Sequence, residues 1–303
     1  MSDRPRILLI GATGQVGWEL VRELAPLGEV HAAARAMDNE LRIDLEDPDS
    51  ICDLMRRVQP ELVVNAAAYT AVDRAEQEPQ RAEAINAIAP GIIAEEAKRL
   101  GVGLVHYSTD YVFPGDVEQP YRETDPTGPK GIYGSTKLAG EQAVLDSGAA
   151  CLILRTAWVY GARGHNFLLT MLRRFRAGQP TRVVHDQIGS PTWSRMIAAA
   201  TAQVLAQRFS ADGRFDLEPV RGVYHLTAAG HISWHGFAQA IREHAGLDCL
   251  LEAIPSTEYP TPAARPVWSV LDGSRMRETF HIELPHWRSS LGQCLDDMRL
   301  HPS

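Results

Sequence analysis

The chain has 303 residues, with 38 acidic against 30 basic side chains and a formal net charge of −8 at pH 7. That balance argues against a general nucleic-acid surface, which needs a basic excess; 45% hydrophobic and 22% charged content is that of a soluble globular protein with a large core. Four scattered cysteines (Cys52, Cys151, Cys249, Cys294) form neither a disulfide framework nor a zinc knuckle, and no apolar run approaches membrane-spanning length.

The first residues run from charge straight into an apolar segment, without the apolar stretch and cleavage site of a signal peptide. A cytoplasmic location is therefore expected, with no membrane and no nucleic-acid partner. Arg6 to Ile10 reads as a first strand, and Val16 to Ala25 as an amphipathic helix closed by Pro26 and Gly28. Glu29 to Ala34 is a second strand. Asp47 and Pro48 open the next helix as N-cap and first helical residue. Leu62 to Asn65 is a third strand, and a long helix covers Pro79 to Leu100, stopped by Gly101. Gly103 to Tyr107, a helix over Ile132 to Leu145, and Cys151 to Leu154 continue the alternation. Strands this apolar are buried on both faces, and strand–helix–strand order means a parallel sheet. The fold class is α/β, a doubly wound parallel (Rossmann) sheet with a second, smaller substrate-binding domain.

Regularity declines after Tyr160. Thr192 to Arg208 reads as a helix and Val223 to Leu226 as one more strand, returning the chain to the sheet. The expected division is 1–160 plus 192–230 for a dinucleotide-binding domain, and 161–191 plus 231–303 for the smaller one.

GATGQVG, Gly11 to Gly17, follows the first strand. Gly11, Gly14 and Gly17 give the tight turn and the backbone access that a pyrophosphate needs at a helix N-terminus. A dinucleotide enzyme selective for NAD usually ends its second strand in an acid that holds the ribose hydroxyls. Here the strand runs through Ala34 into Arg35, which suits a 2′-phosphate. NADPH is therefore expected, with NADH as the alternative. Asp44 and Leu45 are placed to meet the adenine, and Ala66 to Thr70 to line the nicotinamide ribose, because ligands lie beyond the carboxyl ends of parallel strands.

Tyr133 and Lys137 lie four residues apart in YGSTK, on one helix face, in a chain with only three lysines (Lys98, Lys130, Lys137). A nearby ammonium, with the positive nicotinamide of the oxidised cofactor, is expected to lower the phenol's pKa and make Tyr133 an acid–base group. Tyr133 then gives a proton to a nascent alkoxide, Lys137 also holds the nicotinamide ribose, and Thr109, or the adjacent Ser108 in its place, aligns the substrate oxygen. The reading is a nicotinamide-dependent carbonyl reductase.

The blocks GATGQVGWEL, VVNAAAYTAVDRAE, VHYSTDYVFPG, YGSTKLAGE, LRTAWVYG, HDQIGSPTW and ARPVWSVLD, spread over most of the chain, resemble the extended short-chain dehydrogenase/reductases and, within them, the dTDP-4-dehydrorhamnose reductases. The resemblance implies NAD(P)H-dependent reduction of the C4 ketone of dTDP-4-dehydro-L-rhamnose, with a nucleotide sugar as the small-molecule partner. It implies Tyr133 as general acid, Lys137 as its helper and Thr109 as the aligning hydroxyl. Gly14, Gln15 and Val16 fall on the cofactor loop, Ala68, Tyr69 and Thr70 on the ribose side, and Asp110 and Trp158 on sugar-binding positions. The family's common acid at the end of the second strand is absent.

For the sugar nucleotide, Arg265 offers a fork to a diphosphate, Trp158 a flat apolar face, and Asn166 or Gln187 neutral hydrogen bonds. Glu19 stands where a family member recruits a metal at a dimer contact, but Arg195 occupies the place a partnering acid would need, so no metal site is expected. Oligomeric state is left open, a homodimer included. The runner-up readings are another extended reductase, epimerase or dehydratase acting on a nucleotide sugar, since Asp110 supplies a carboxylate beside Thr109, and a non-catalytic regulatory subunit on the same fold.

Overall fold

A computed structural model of the chain describes residues 4–37, 41–210 and 213–300. Its centre is a six-stranded sheet, entirely parallel, formed by β1 (Arg6–Ile10), β2 (Glu29–Ala33), β3 (Leu62–Asn65), β4 (Gly103–Thr109), β5 (Cys151–Thr156) and, further along the chain, β10 (Gly222–His225). The order across the sheet is β10-β5-β4-β3-β1-β2. Side chains alternate between faces. Ile7, Leu9, Val105, Tyr107, Leu152 and Leu154 enter one core with α1 (Gln15–Glu23) and α8 (Ser194–Gln207). Leu8, Ile10, Val63, Leu104 and Ile153 enter the other, with α2 (Pro48–Val58), α5 (Ala89–Leu100) and α6 (Ile132–Asp146). The two-sided burial explains why these strands read as unbroken apolar runs, and the doubly wound sheet expected from sequence is the one formed.

Local signals behave as their chemistry requires. The Asp47 carboxylate accepts from the Asp49 N–H at 3.0 Å with Pro48 at the first helical position, and Gly101 closes α5 at φ 70°. The long helix expected over 79–100 is not continuous. After α3 (Val72–Ala75) and α4 (Pro79–Glu83) the chain widens into a π turn, Ala84–Ile88, before α5. Pro90 is the reason: it has no N–H for the carbonyl four residues back, that of Asn86, and its ring crowds that carbonyl. The displaced Asn86 carbonyl lies against Gly140 of α6, 2.0 Å from where a Cβ there would stand.

The second core is smaller. Short paired strands, β6 (Val159–Tyr160) with β9 (Thr192–Trp193), β7 (Thr181–Val184) with β13 (Leu251–Ile254), and β8 (Ile188–Gly189) with β12 (Ile232–Ser233), frame α7 (Phe167–Arg176), α9 (Trp234–Ala245) and α11 (Trp287–Leu300). Tyr160, Leu168, Phe175, Phe237, Trp287 and Leu291 fill it. One stretch assigned by sequence to this lobe goes elsewhere: Met276 and Phe280 of α10 (Ser274–Phe280) pack in the sheet's core with Ile282 and Leu284. The chain returns through β11 (Ala228–Ala229), which pairs with β14 (Leu284–His286).

Helix α6 is tied to the sheet by a buried ion pair. Arg155 of β5 donates Nε and Nη2 to the two oxygens of Glu141 at 2.9 and 2.7 Å, and its guanidinium lies 5.0 Å from the centre of the Phe113 ring. Both partners are almost fully buried, at 4% and 2% exposure. Removing one charge of such a pair strands the other in a dry interior. Glu141→Gln is expected to lower unfolding stability by roughly 3 kcal/mol, read from the urea midpoint; a midpoint within error of the parent would show that the pair does not tie the helix down.

Candidate active site

β1 delivers the chain to Gly11, held at φ 89° with its Cβ position 2.6 Å from the Ala67 nitrogen, a place no side chain can occupy. Gly17, in the first turn of α1, is pressed on the Gly11 carbonyl: a Cβ would come within 2.1 Å of that oxygen. Its contribution is therefore helix-on-strand packing, and it does not line the cleft. Gly14 begins α1 with no side-chain cap, so the first-turn N–H groups keep their positive end for a ligand. A cleft of about 640 Å³ opens there, beyond the carboxyl ends of the strands. Following the strand order, Arg35, Asp44 and Leu45 line it beside β2, Gly11, Gly14, Gln15 and Val16 beside β1, and Ala68, Tyr69 and Thr70 beyond β3, with Tyr133 and Lys137 beside β4.

Several cleft residues carried no sequence signal strong enough to single them out. Arg74, Arg81 and His165 also line the cleft. Glu46 joins Arg35 (3.5 Å) to Arg81 (2.9 Å), and Arg81 in turn lies over the Tyr69 ring at 5.9 Å. The Asn86 side chain, turned by the π turn, accepts from the Tyr69 N–H at 2.8 Å and donates to its carbonyl at 3.1 Å. That clamp holds the loop after β3 in place. Asn166, considered for the sugar, caps α7 instead by accepting from the Leu169 N–H at 3.0 Å, and its amide donates to Gln15 Oε1 at 2.8 Å. The strap before α7 is thereby tied to the phosphate loop.

Tyr133 and Lys137 project from successive turns of α6. Lys137 is 2% exposed and donates to the Tyr107 carbonyl at 2.6 Å. Burial draws its pKa down to about 8, against the opposing pull of Glu141. Tyr133 is half-buried and edge-on to Tyr111 with ring centres 5.5 Å apart, with the Thr109 side chain nearby. Burial pushes the phenol up to about 12; the Thr109 contact acts against this and Asp110 adds to it. Burial thus outweighs any lowering by the lysine alone. The Lys137 nitrogen is committed to the Tyr107 carbonyl, desolvation dominates both groups, and the phenol holds its proton.

Thr109 ends β4, where its hydroxyl donates to Asp110 Oδ1 at 3.0 Å and accepts from the Tyr111 N–H at 3.2 Å. Asp110 is 2% exposed, and burial raises its carboxyl to about 6 against the lowering effect of the nearby Ser269 and Thr109 hydroxyls. Arg265 is not a free fork: Nη2 bonds Asp73 at 2.8 Å and Nη1 donates to the Ala263 carbonyl at 3.3 Å. The Asp73 contact docks the segment after residue 260 onto α3, close to Tyr111. Trp158 stands apart from the cleft, at φ 47°, its ring stacked on Trp234 with centres 3.5 Å apart and planes within 1°. Gly189 leaves no room for a Cβ beside it. The Gln187 carbonyl accepts from the Trp234 N–H at 3.4 Å. Glu19 pairs with Arg195 at 3.3 Å, and Arg195 also reaches Asp297 at 2.9 Å.

The residues match what a dinucleotide asks of a protein: an uncapped helix N-terminus behind a glycine turn, and a cleft long enough to run from Arg35 to Tyr133. Comparison with known proteins agrees. The model of the RmlD substrate binding domain matches residues 5–300. A dTDP-4-dehydrorhamnose reductase of Burkholderia thailandensis is 48% identical, covering 97% of this chain and 99% of that protein. The crystal structure of a dTDP-4-dehydrorhamnose reductase from Clostridium acetobutylicum superposes with a TM-score of 0.87 at 33% identity, covering 97% of this chain and 99% of that one. That of a Bacillus anthracis dTDP-4-dehydrorhamnose reductase in complex with NADP gives 0.88 at 30% identity, with the same coverage. Matched along nearly its whole length in both sequence and fold, the chain belongs to the family of the RmlD substrate binding domain, that of the dTDP-4-dehydrorhamnose reductases.

Proposed function

We propose that the protein reduces the C4 ketone of dTDP-4-dehydro-L-rhamnose to the alcohol with NADPH. The observation that carries this reading is the meeting of Tyr133 and Lys137 in a dinucleotide cleft that Ser108 also lines, with Thr109 next in the chain, in a chain 48% identical to a dTDP-4-dehydrorhamnose reductase. The bound dihydronicotinamide supplies the hydride. Everything else falls to the chain. Thr109 and Tyr133 hold the carbonyl oxygen, and the Tyr133 phenol, kept protonated by burial, gives its proton to the developing alkoxide. Lys137 lies where the nicotinamide ribose hydroxyls would come. Residues 1–160 with 192–230 hold the cofactor, and 161–191 with 231–303, apart from the stretch 276–284 that packs in the sheet's core, receive the sugar nucleotide, with Asp110 and Arg265 as its contacts. Arg265, paired with Asp73 here, exchanges that partner for the diphosphate.

Arg35 supports the choice of NADPH. Its guanidinium is 59% exposed, lines the cleft and is held only loosely by Glu46. It meets a 2′-phosphate with a charge-assisted bond that NADH cannot form. The four cysteines are all unpaired, which suits a reducing compartment, and the cytoplasm is the proposed location.

Tyr133→Phe removes the proton donor and little else. It is expected to lower kcat by about 10²–10⁴-fold while NADPH affinity, read by cofactor fluorescence, stays within about twofold of the parent's. Retention of most turnover would overturn the assignment. Arg35→Ala should cut the NADPH-over-NADH ratio of kcat/KM by about tenfold or more, the loss of one charge-assisted bond; an unchanged ratio would show that Arg35 does not read the phosphate.

A further inference from the structure

At the β2 end of the cleft two guanidinium groups share one carboxylate oxygen. Arg81 donates from Nε and Nη2 to Glu46 Oε1 at 3.0 and 2.9 Å, and Arg35 Nη1 donates to the same oxygen at 3.5 Å. The three residues come from separate places: Arg35 follows β2, Glu46 precedes α2, and Arg81 lies on α4. Both arginines line the cleft, and Glu46 stands just past the lining residues Asp44 and Leu45. The Glu46 backbone is fixed: its N–H donates to Asp44 Oδ1 at 3.0 Å, and the Asp44 N–H donates to Ser50 Oγ at 3.0 Å. Arg35, Glu46 and Arg81 are 59%, 37% and 33% exposed, and ion pairs at such sites add little to stability. The arrangement instead gathers two planar forks around one anionic oxygen, as a phosphate requires. A phosphate monoester brings three acceptor oxygens and close to two negative charges to such forks, against the single oxygen they share here.

We propose, resting on the NADPH reading given above, that Arg81 is a second contact for the cofactor's 2′-phosphate and that Glu46 is the phosphate's internal competitor. The carboxylate holds Arg35 and Arg81 together until the phosphate takes both. Arg81 keeps its place when Glu46 lets go, because its guanidinium lies over the Tyr69 ring at 5.9 Å and reaches Glu78, one turn earlier on α4, at 3.6 Å. Glu78 is itself held by the Tyr69 hydroxyl at 2.8 Å and by Arg74 Nε at 2.7 Å. Arg74 is thus bonded to Glu78 rather than to Glu46, and the shared site consists of Arg35 and Arg81. Glu46 is then a specificity-determining residue: it sets how strongly the 2′-phosphate is preferred, without touching the nicotinamide end of the cleft.

NAD⁺ and NADP⁺ differ only in the 2′-phosphate, so their dissociation constants, measured by calorimetry without sugar at one ionic strength, isolate this contact. Glu46→Gln is expected to tighten NADP⁺ by about threefold to tenfold, with NAD⁺ within about twofold of the parent. Arg81→Gln is expected to weaken NADP⁺ by about tenfold, again with NAD⁺ little changed. A carboxylate that only positioned the two arginines would give the opposite sign in the first variant. NADP⁺ binding that weakens or stays the same in Glu46→Gln therefore overturns the proposal. An Arg81→Gln protein that keeps its NADP⁺ affinity, or loses both cofactors equally, overturns it as well. Arg35→Ala is the reference: a loss of NADP⁺ preference confined to that variant would refute the shared site and leave the NADPH reading standing.

Discussion

Helix α6 can present a proton donor only because it is clamped at its far side. Tyr133, Lys137 and Glu141 follow one another at single turns along one face, and the closure of Glu141 on Arg155 fixes that face against β5. Gly140, beside Glu141, admits the Asn86 carbonyl to a distance that no other residue would allow. The same π turn sends the Asn86 side chain to both backbone groups of Tyr69. One helix thus sets the catalytic phenol, the buried lysine and the loop after β3, and errors in its placement would reach all three.

Desolvation then decides the chemistry of the two α6 groups. It disfavours whichever form is charged, so it raises the phenol and lowers the amine together. For a reductase this is the useful direction for the tyrosine, which must arrive protonated, and burial keeps it so. Asp110, also buried, is raised too. The cleft near β4 is therefore dry, while Arg35, Arg74 and Arg81 on its walls are each paired with Glu46 or Glu78.

Much of this was legible in the sequence wherever the signal is local. The strands, the Asp47 cap, the Gly101 stop and the Tyr133–Lys137 spacing all depend on residues within a turn or two of each other. Pro90 was visible as well, and its missing N–H predicts the break that a continuous helix over 79–100 overlooks. Contacts between distant segments were not legible. Asn65 and His106 are neighbours only through the β3–β4 register, and Arg265 looked like a free fork because Asp73, its partner, is 192 residues away. Trp158 offered a flat face in sequence, but Trp234 from the other side of the lobe lies against that ring. The strength of the burial around Tyr133 was hidden for the same reason: a nearby lysine is written in the sequence, and its dry surroundings are not.

The central claim is that the cleft brings a cofactor hydride and the Tyr133 proton to the two ends of one carbonyl group. Turnover of dTDP-4-dehydro-L-rhamnose with NADPH deuterated at both C4 positions of the nicotinamide tests it most directly. The account predicts a 6-deoxyhexose product bearing deuterium on its C4 carbon, with cofactor oxidised in equal amount. Product free of deuterium at C4, or sugar conversion without net oxidation of cofactor, would contradict it.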